Sequence, residues 1–271
     1  MVEKFNLPDY SMYNPEGSLL RTIQLQMLEM MEYLDKICRE NGIEYILDGG
    51  SALGAIRHRG FIPWDDDMDI ALLESDYKRL INILGTSKSD KYVLHMQETD
   101  FNYINMFPKF RMREGELLGS FPSRGRLYKW KGPGIDIFCL QRNSYLAAKV
   151  AKKVHILLLK DTWKIKNELL RKAVTKFLYG CFKLSLLLIK PLNLLRKNDE
   201  LHYACGQGWA NIYYSEKSLK PIIRTAFENL ELPVPADYDT YLTNIFGDWR
   251  TPPSDSEIKN FGIHSKEILN V

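Results

Sequence analysis

A chain of 271 residues is long enough to bury a substantial core, as one large domain or two small ones. Its apolar fraction of 45% and charged fraction of 26% are those of an ordinary soluble protein. The first residues lack a basic stretch followed by an apolar one, and no run of about 18 uninterrupted apolar residues occurs, so we expect neither a signal peptide nor a membrane span. The four scattered cysteines favour free thiols in a reducing compartment, and hence a cytoplasmic protein.

The net charge of +3 is unevenly distributed along the chain. Residues 147–197 hold 13 Lys and Arg against two acidic residues, a local net charge of +11, whereas the remainder carries −8. Such asymmetry indicates a polyanionic partner or an anionic membrane surface at this region. We expect no nucleic acid among the partners.

The clearest helix is predicted for residues 18–41, after an N-terminal arm of about 15 residues that we expect to be loosely held. Apolar residues recur there at spacings of three and four, which is the period of an amphipathic helix. They are Leu20, Ile23, Met27, Met31, Leu34 and Cys38. Ser18 suits the N-cap position, and Asn41 with Gly42 suits the C-terminal stop.

A strand–turn–strand unit follows and carries the strongest chemical signal. A short strand is predicted at residues 43–47, and it runs into Gly49-Gly50-Ser51. One or two helical turns are predicted at residues 52–58, followed by a second strand at residues 67–72. Glycines at the end of a strand let the backbone approach a phosphate, and a helix N-terminus offers free N–H groups to its charge. The Ser51 hydroxyl would bind the phosphate or cap the helix.

Asp67 and Asp69 are two apart on the second predicted strand, so their side chains share a face. Two converging carboxylates are costly unless a cation lies between them. Mg²⁺ commonly binds through one or two carboxylates and substrate phosphates. Arg57 and Arg59 lie between the two halves of the unit, where they could contact phosphate oxygens. We therefore predict a phosphate-binding turn that faces one or two Mg²⁺ or Mn²⁺ ions.

Further along, a helix is predicted from residue 75 or 76 to 84, with strands at 92–96, 105–113 and 134–138. The Gly- and Pro-rich stretch between the last two strands also holds basic residues, which suggests an active-site loop. Helices and strands alternate without a long parallel series, so an α+β fold with a mixed sheet fits best. We divide the chain into a catalytic core at 1–142, a basic helical segment at 143–200 and a C-terminal segment at 201–271 that completes the catalytic domain.

The basic segment has two interpretations. Apolar residues interleaved with lysines over residues 144–195 could form ordinary amphipathic helices whose solvated face is rich in lysine. They could instead form an element that lies on an anionic membrane surface. We favour the second, because the charge imbalance is confined to this segment.

The string from Asp48 to Ile70, which reads DGGSALGAIRHRGFIPWDDDMDI, resembles the LicD family of phosphocholine and ribitol-phosphate transferases. The resemblance implies a nucleotidyltransferase-like core sheet with flanking helices. It also implies a third carboxylate on a later strand, and Asp136 within the sequence GIDIF fits that pattern. A second similar patch contains Tyr241 and residues 246–253.

The residues and the resemblance together give a predicted site. The catalytic and metal-binding carboxylates are Asp67, Asp69 and Asp136, the last also a candidate general base. The phosphate- or substrate-binding residues are Gly49, Gly50, Ser51, Arg57, Arg59 and Lys109. Residues behind them or in the donor pocket are Asp48, Trp64, Asp65, Asp66, Asp248 and Trp249. Candidates for an aromatic wall around a cationic head group are Trp64, Tyr103, Phe107, Trp130 and Trp249.

The resemblance implies transfer of a phospho-alcohol, phosphocholine first of all, from a CDP-activated donor such as CDP-choline. The acceptor would be a sugar hydroxyl of a cell-surface glycan precursor (teichoic acid, lipopolysaccharide or capsule), CMP would be released, and the enzyme would work at the inner face of the membrane. One alternative is a nucleotidyltransferase that attaches NMP to a small molecule and releases pyrophosphate. A second alternative is a non-catalytic scaffold that binds a membrane through the basic helices.

Overall fold

The computed structural model describes residues 5–117, 122–197, 199–206, 214–261 and 268–270. These residues form a mixed seven-stranded sheet with flanking helices, which confirms the predicted α+β class. The helices are α1 (Leu19–Glu40), α2 (Gly49–Leu53), α3 (Glu74–Thr86), α4 (Pro122–Gly125), α5 (Tyr145–Leu159), α6 (Glu168–Ile189), α7 (Glu216–Leu219), α8 (Tyr238–Phe246) and α9 (Asp255–Phe261).

The strands are β1 (Ile46–Leu47), β2 (Met68–Leu73), β3 (Tyr92–His95), β4 (Lys109–Met112), β5 (Glu116–Leu117), β6 (Gly134–Gln141), β7 (Glu200–Tyr203), β8 (Tyr214–Ser215), β9 (Ile222–Phe227), β10 (Leu230–Pro235) and β11 (Ile268–Asn270). A π-helical turn (Gly54–His58) continues α2. Short 3₁₀ turns occur at Ser11–Tyr13, Thr162–Lys164, Lys190–Leu195 and Ala204–Gly206.

The predicted elements near the site agree with the structure in type and differ at their ends. The Ser18 hydroxyl accepts from the backbone N–H of Arg21, so it caps α1 as expected. The strand predicted at 43–47 is limited to two residues, because the N–H of Ile43 donates back to the last turn of α1. The helix after the glycines begins at Gly49, earlier than predicted, since a φ of 49° there turns the chain directly from strand to helix.

The main sheet has the order β1-β2-β6-β4-β3, and β7 pairs with β6 and then β8. β2 and β6 are parallel and paired along residues 68–73 and 135–140. The other edge of β6 is shared, with β4 at its first residues and β7 at its last two. Since β7 follows the basic helices, the C-terminal part of the chain is built into the same sheet as the first half.

One hydrophobic core underlies this sheet. The buried side of α1 packs against β2 and β6, and residues after position 214 add to the same core, among them Phe227, Leu232 and Trp249. The N-terminal arm also packs from Phe5 onward, and the ring of Phe5 lies 5.5 Å from that of Trp249. The expectation of a loosely held arm is therefore wrong for residues 5–14: Tyr10 packs against Trp64, and the Asn14 side chain donates to Gln24 of α1.

The basic segment forms two antiparallel helices, α5 and α6. The Ser144 hydroxyl donates to the carbonyl of Leu192 at 2.8 Å, and the rings of His155 and Phe182 lie 4.9 Å apart. By length and composition, the helical stretch from Glu168 to Leu195 could cross a membrane. The sequence had predicted no such segment, because lysines interrupt the apolar run. All four cysteines are free, as expected.

Candidate functional site

Three strands place three charged residues of the predicted site side by side. In the parallel pair, Asp69 of β2 lies opposite Asp136 of β6, and in the antiparallel pair Lys109 of β4 lies opposite Asp136 from the other edge. Residues directly opposite each other on neighbouring strands share a face, with Cβ atoms about 5 Å apart. The sheet thus forms a row Asp69–Asp136–Lys109, which we call the charged row.

Both acidic residues of the charged row have raised pKa values. Burial, followed by repulsion from Asp67 and Asp136, holds the pKa of Asp69 well above its ordinary range. Burial also raises the pKa of Asp136, and the Lys109 ammonium opposes that rise. Lys109 Nζ forms an ion pair with Asp136 Oδ1 at 2.5 Å. Two acidic groups therefore depend on a single lysine for compensation within the row.

The Gly49-Gly50-Ser51 turn is fastened to the charged row. The N–H of Asp48 donates to the carbonyl of Asp69 at 3.0 Å, and the N–H of Asp69 donates to the Ser51 hydroxyl at 2.9 Å. The Ser51 hydroxyl keeps its own hydrogen for donation to another group. Ser51 therefore links the turn to the row, a contact that neither of its two predicted roles included.

The acidic run before β2 lies against the same turn. A Cβ placed on Gly50 would come within 2.8 Å of Asp65 Oδ2, so the glycine makes room for this carboxyl group. Burial and the nearby charge of Asp67 hold the pKa of Asp65 well above its ordinary range, and the two carboxyl groups share a hydrogen bond. Asp66 is buried and Asp65 is half-buried. Neither residue therefore lies at a fully solvated turn.

The residues present partly fit a divalent cation. Within the ranges that the structure describes, no three His, Cys, Asp or Glu side chains are gathered as a metal-binding group. Asp67 is engaged with Asp65, and Asp136 with Lys109. The neighbouring carboxyl groups of Asp69 and Asp136 nevertheless match the one or two carboxylates that Mg²⁺ takes when phosphate oxygens supply the rest. A three-aspartate ligand set stays a prediction.

Asp48 is the centre of a buried polar cluster. It does not cap the following helix through its side chain. Instead its carboxyl group accepts from the hydroxyls of Tyr203, at 2.6 Å, and of Tyr241. Tyr214 joins the cluster through a 2.6 Å contact with the Tyr203 hydroxyl. Burial raises the pKa of Asp48, and the tyrosine hydroxyls oppose that rise.

The same cluster supports the phosphate-binding turn. The N–H of Gly49 donates to the Tyr241 hydroxyl at 3.2 Å, and the rings of Tyr214 and Tyr241 are stacked. β7, β8 and α8 thus hold the start of the turn in place. Sequence reasoning included Asp48 and Tyr241 but missed Tyr203 and Tyr214, whose positions more than 150 residues away carry no local signal.

Arg57 lies inside the protein and bonds to its backbone. Its Nη1 donates to the carbonyl of Trp249 at 2.7 Å, and its Nε donates to the ring of His58 at 3.0 Å. Burial lowers the pKa of Arg57 to about 10 and, together with the Arg57 charge, lowers that of His58 to about 3. Arg59 differs, since it is exposed and lines an open cleft of about 550 Å³ with Arg21 and Glu228.

The predicted aromatic wall is not brought together. Trp64 packs edge-on against Tyr10 and Tyr13 of the N-terminal arm and against His58. Tyr103 and Trp130 instead surround His95, and Phe107 packs on Phe138.

Trp249 is a core residue whose indole N–H donates to Asp239 at 3.0 Å. Asp248 is exposed and accepts from Thr251 in its own turn. Part of the predicted loop, residues 118–121, lies outside the described residues.

Comparison with known proteins places relatives beside this chain. Residues 42–170 match the family model for the LicD/FKTN/FKRP nucleotidyltransferase domain. The chain is 25% identical to the lipopolysaccharide cholinephosphotransferase LicD of Haemophilus influenzae over 269 residues, which is 92% of this chain and 98% of that protein. It is 29% identical to an uncharacterized protein of Rickettsia prowazekii over 42% of this chain and 49% of the relative.

A shorter match reaches the animal members of the family. The chain is 42% identical to the ribitol 5-phosphate transferase FKRP of Homo sapiens over 48 residues, which is 18% of this chain and 10% of that protein. LicD and FKRP are, by name, transferases of phosphate-containing groups. These matches confirm the resemblance to the LicD family that the sequence predicted, with residues 42–170 matching the family model.

Proposed function

We propose that the protein transfers a phospho-alcohol, phosphocholine in the first instance, from a CDP-activated donor to a sugar hydroxyl of a cell-surface glycan, with release of CMP. The observation that carries the proposal is the charged row Asp69–Asp136–Lys109, joined by two hydrogen bonds to the Gly49-Gly50-Ser51 turn. The match to a lipopolysaccharide cholinephosphotransferase over nearly all of both chains supports choline as the alcohol and a glycan as the acceptor.

Phosphoryl transfer needs positioning and charge stabilisation more than covalent help from the protein. In our proposal the N–H of Gly50 and the Ser51 hydroxyl of the turn hold the phosphate of the donor. Lys109 supplies positive charge beside the reacting phosphate. Asp136 accepts the proton of the attacking hydroxyl.

We also propose that Asp69 and Asp136, with Asp67 nearby, hold a divalent cation, Mg²⁺ or Mn²⁺. Such an ion would neutralise phosphate charge and stabilise the leaving oxygen. The support for this proposal is the adjacent pair of carboxyl groups, whose mutual repulsion a cation would relieve.

Phosphorus NMR tests the reaction. The purified protein is incubated with Mg²⁺, a crude cell-envelope glycan precursor and one donor at a time: CDP-choline, CDP-ethanolamine, CDP-ribitol or an NTP. The control variants are Asp69→Asn, in the charged row, and Asp90→Asn, an exposed aspartate outside the predicted site. We expect CMP from CDP-choline with the wild type and Asp90→Asn, and none with Asp69→Asn.

The other products decide between the alternatives. CMP from CDP-ribitol alone would keep the reaction and change the alcohol. Pyrophosphate from an NTP would replace the proposal with nucleotidyl transfer. No product, combined with no calorimetric binding of any donor, would favour the non-catalytic scaffold.

A further inference from the structure

Helix α6 buries polar side chains and exposes most of its large apolar ones. The residues that it buries against the protein include Arg171 and Thr175, together with Phe182. Its large apolar side chains face outward instead, with Leu169 and Leu188 each 79% exposed. A contiguous exposed apolar surface is uncommon on soluble proteins and marks an interaction site.

The exposed apolar residues of α6 form one stripe. Their spacing of three, four or seven keeps them on one side of the helix. The stripe consists of Leu169, Leu170, Ala173, Phe177, Gly180, Leu184, Leu187 and Leu188. It is about 28 Å long at a rise of 1.5 Å per residue. Leu194 and Leu195, at the end of the following 3₁₀ turn, are also exposed and extend it.

Lysines border the stripe. Lys172, Lys176, Lys183 and Lys190 recur at spacings of four and seven, so they follow one flank of the stripe, and all four are exposed. The surrounding segment, residues 147–197, carries a net charge of +11. An apolar stripe with a cationic border complements the surface of an anionic bilayer, where leucines enter the acyl region and lysines meet the head groups.

We propose that α6 is a docking element for an anionic lipid bilayer, and that it lies in the plane of the membrane surface. The opposite side of the helix is fixed to the protein. On that side, Arg171 donates from Nε to Asn102 Oδ1 at 2.9 Å and from Nη1 to the carbonyl of Ile165 at 2.8 Å, and on the lysine flank Lys183 pairs with Glu98 at 2.7 Å. Because these contacts hold one side of α6 against the fold, only the outward stripe enters the lipid.

This geometry also relates the membrane to the charged row. Residues 98–107 directly precede Lys109 in the chain, and they bind α6 through Glu98 and Asn102. In the same segment, the Tyr103 hydroxyl donates to the carbonyl of Phe107 at 2.9 Å, two residues before Lys109. A protein docked through α6 therefore holds the segment that leads into the charged row close to the bilayer.

The test is co-sedimentation of the full chain with vesicles, and its readout is independent of transferase activity. Vesicles contain equal amounts of phosphatidylglycerol and phosphatidylcholine, or phosphatidylcholine alone. The stripe variant is Leu169→Ser, Phe177→Ser, Leu184→Ser and Leu188→Ser. The charge variant is Lys172→Gln, Lys176→Gln and Lys190→Gln, which leaves the Lys183–Glu98 pair intact. The matched control changes exposed apolar residues elsewhere, Met12→Ser and Leu25→Ser.

We expect the wild type and the control to bind anionic vesicles, and the stripe variant to bind about tenfold more weakly or less. The charge variant should lose the preference for anionic lipid and the sensitivity to salt. Circular dichroism should be the same for all four proteins, because every changed side chain is exposed. Wild-type protein that stays in the supernatant, or a stripe variant that binds normally, would overturn the proposal. A wild type that is dimeric and binds no vesicles, together with a stripe variant that is monomeric, would also overturn it. The stripe would then be the contact surface between two copies of the chain.

Discussion

The guanidinium of Arg57 donates to the backbone carbonyl of Trp249, 192 residues further along the chain, at 2.7 Å. This hydrogen bond joins the two separate stretches in which the sequence resembles the LicD family. The second patch, residues 246–253, therefore has a structural role, because its backbone holds the π-helical turn that follows α2. The indole of Trp249 is buried at the same place and packs against Phe5 and Tyr238.

Arg57→Ala should therefore destabilise the fold. It leaves the buried carbonyl of Trp249 without its donor, which costs about 1–3 kcal/mol. Urea denaturation measures the loss. Arg59→Ala is the matched control, since Arg59 is exposed, and its free energy of unfolding should change by about 0.5 kcal/mol or less. If Arg59 contacts the donor phosphate as predicted, its variant raises KM for the donor; equal destabilisation by both variants would contradict this division of roles.

Asp69→Asn should abolish transfer and yet stabilise the metal-free protein, by up to about 1 kcal/mol, because it removes one of two facing like charges. The pKa of Asp69 is raised in the folded state from an ordinary value of 3.8. Its contribution to stability is thus complete below that value and is lost as the pH rises through the raised pKa. In chelator-treated buffer, the advantage of the Asn variant over the wild type should grow with pH.

Metal addition supplies the control for this prediction. Millimolar Mg²⁺ or Mn²⁺ should raise the Tm of the wild type more at high pH than at low pH, and should raise that of Asp69→Asn much less. An Asn variant that is less stable than the wild type in chelator would show that the Asp69 carboxyl has a favourable partner that offsets the repulsion.

Lys109→Met should change the pH dependence of the reaction. Lys109 lowers the pKa of Asp136 against the effect of burial, so its loss should raise that pKa further. The ionised base would then form only at higher pH, so the acid limb of the pH–rate profile should shift to higher pH. Lys78→Met removes an exposed ion pair with Glu74 and should leave the profile unchanged. An unmoved profile in Lys109→Met would exclude Asp136 as the titrating base.

The sequence predicted the parts of this site better than their arrangement. The spacing of Asp67 and Asp69 and the glycines before them indicated the chemistry locally. The position of Asp136 opposite Asp69 depends on the register of two strands 67 residues apart, which no local pattern determines; only the family resemblance pointed to it. Lys109 completes the row through a second register of the same kind.

Helix α6 shows a different limit. Its apolar period correctly predicted a helix, and the charge count showed that the segment is basic. Periodicity alone cannot say which face is buried, and the usual rule that the apolar face points inward fails here, because Arg171 lies inside and Leu169 outside. The arrangement becomes visible only when the contacts of Arg171 with Asn102 and Ile165 are known.

Tyr241→Phe tests the buried cluster around Asp48. The change keeps the ring but removes a donor to a buried carboxyl group and an acceptor for the N–H of Gly49, so we expect a loss of about 1–3 kcal/mol in unfolding free energy. It should also loosen the phosphate-binding turn and lower donor affinity by calorimetry. Tyr238→Phe, on the same helix, is the control, because Tyr238 meets Trp249 through its ring. If the variant loses stability but binds the donor with unchanged affinity, the cluster has only a structural role. Tyr241 would then not position the turn for the phosphate.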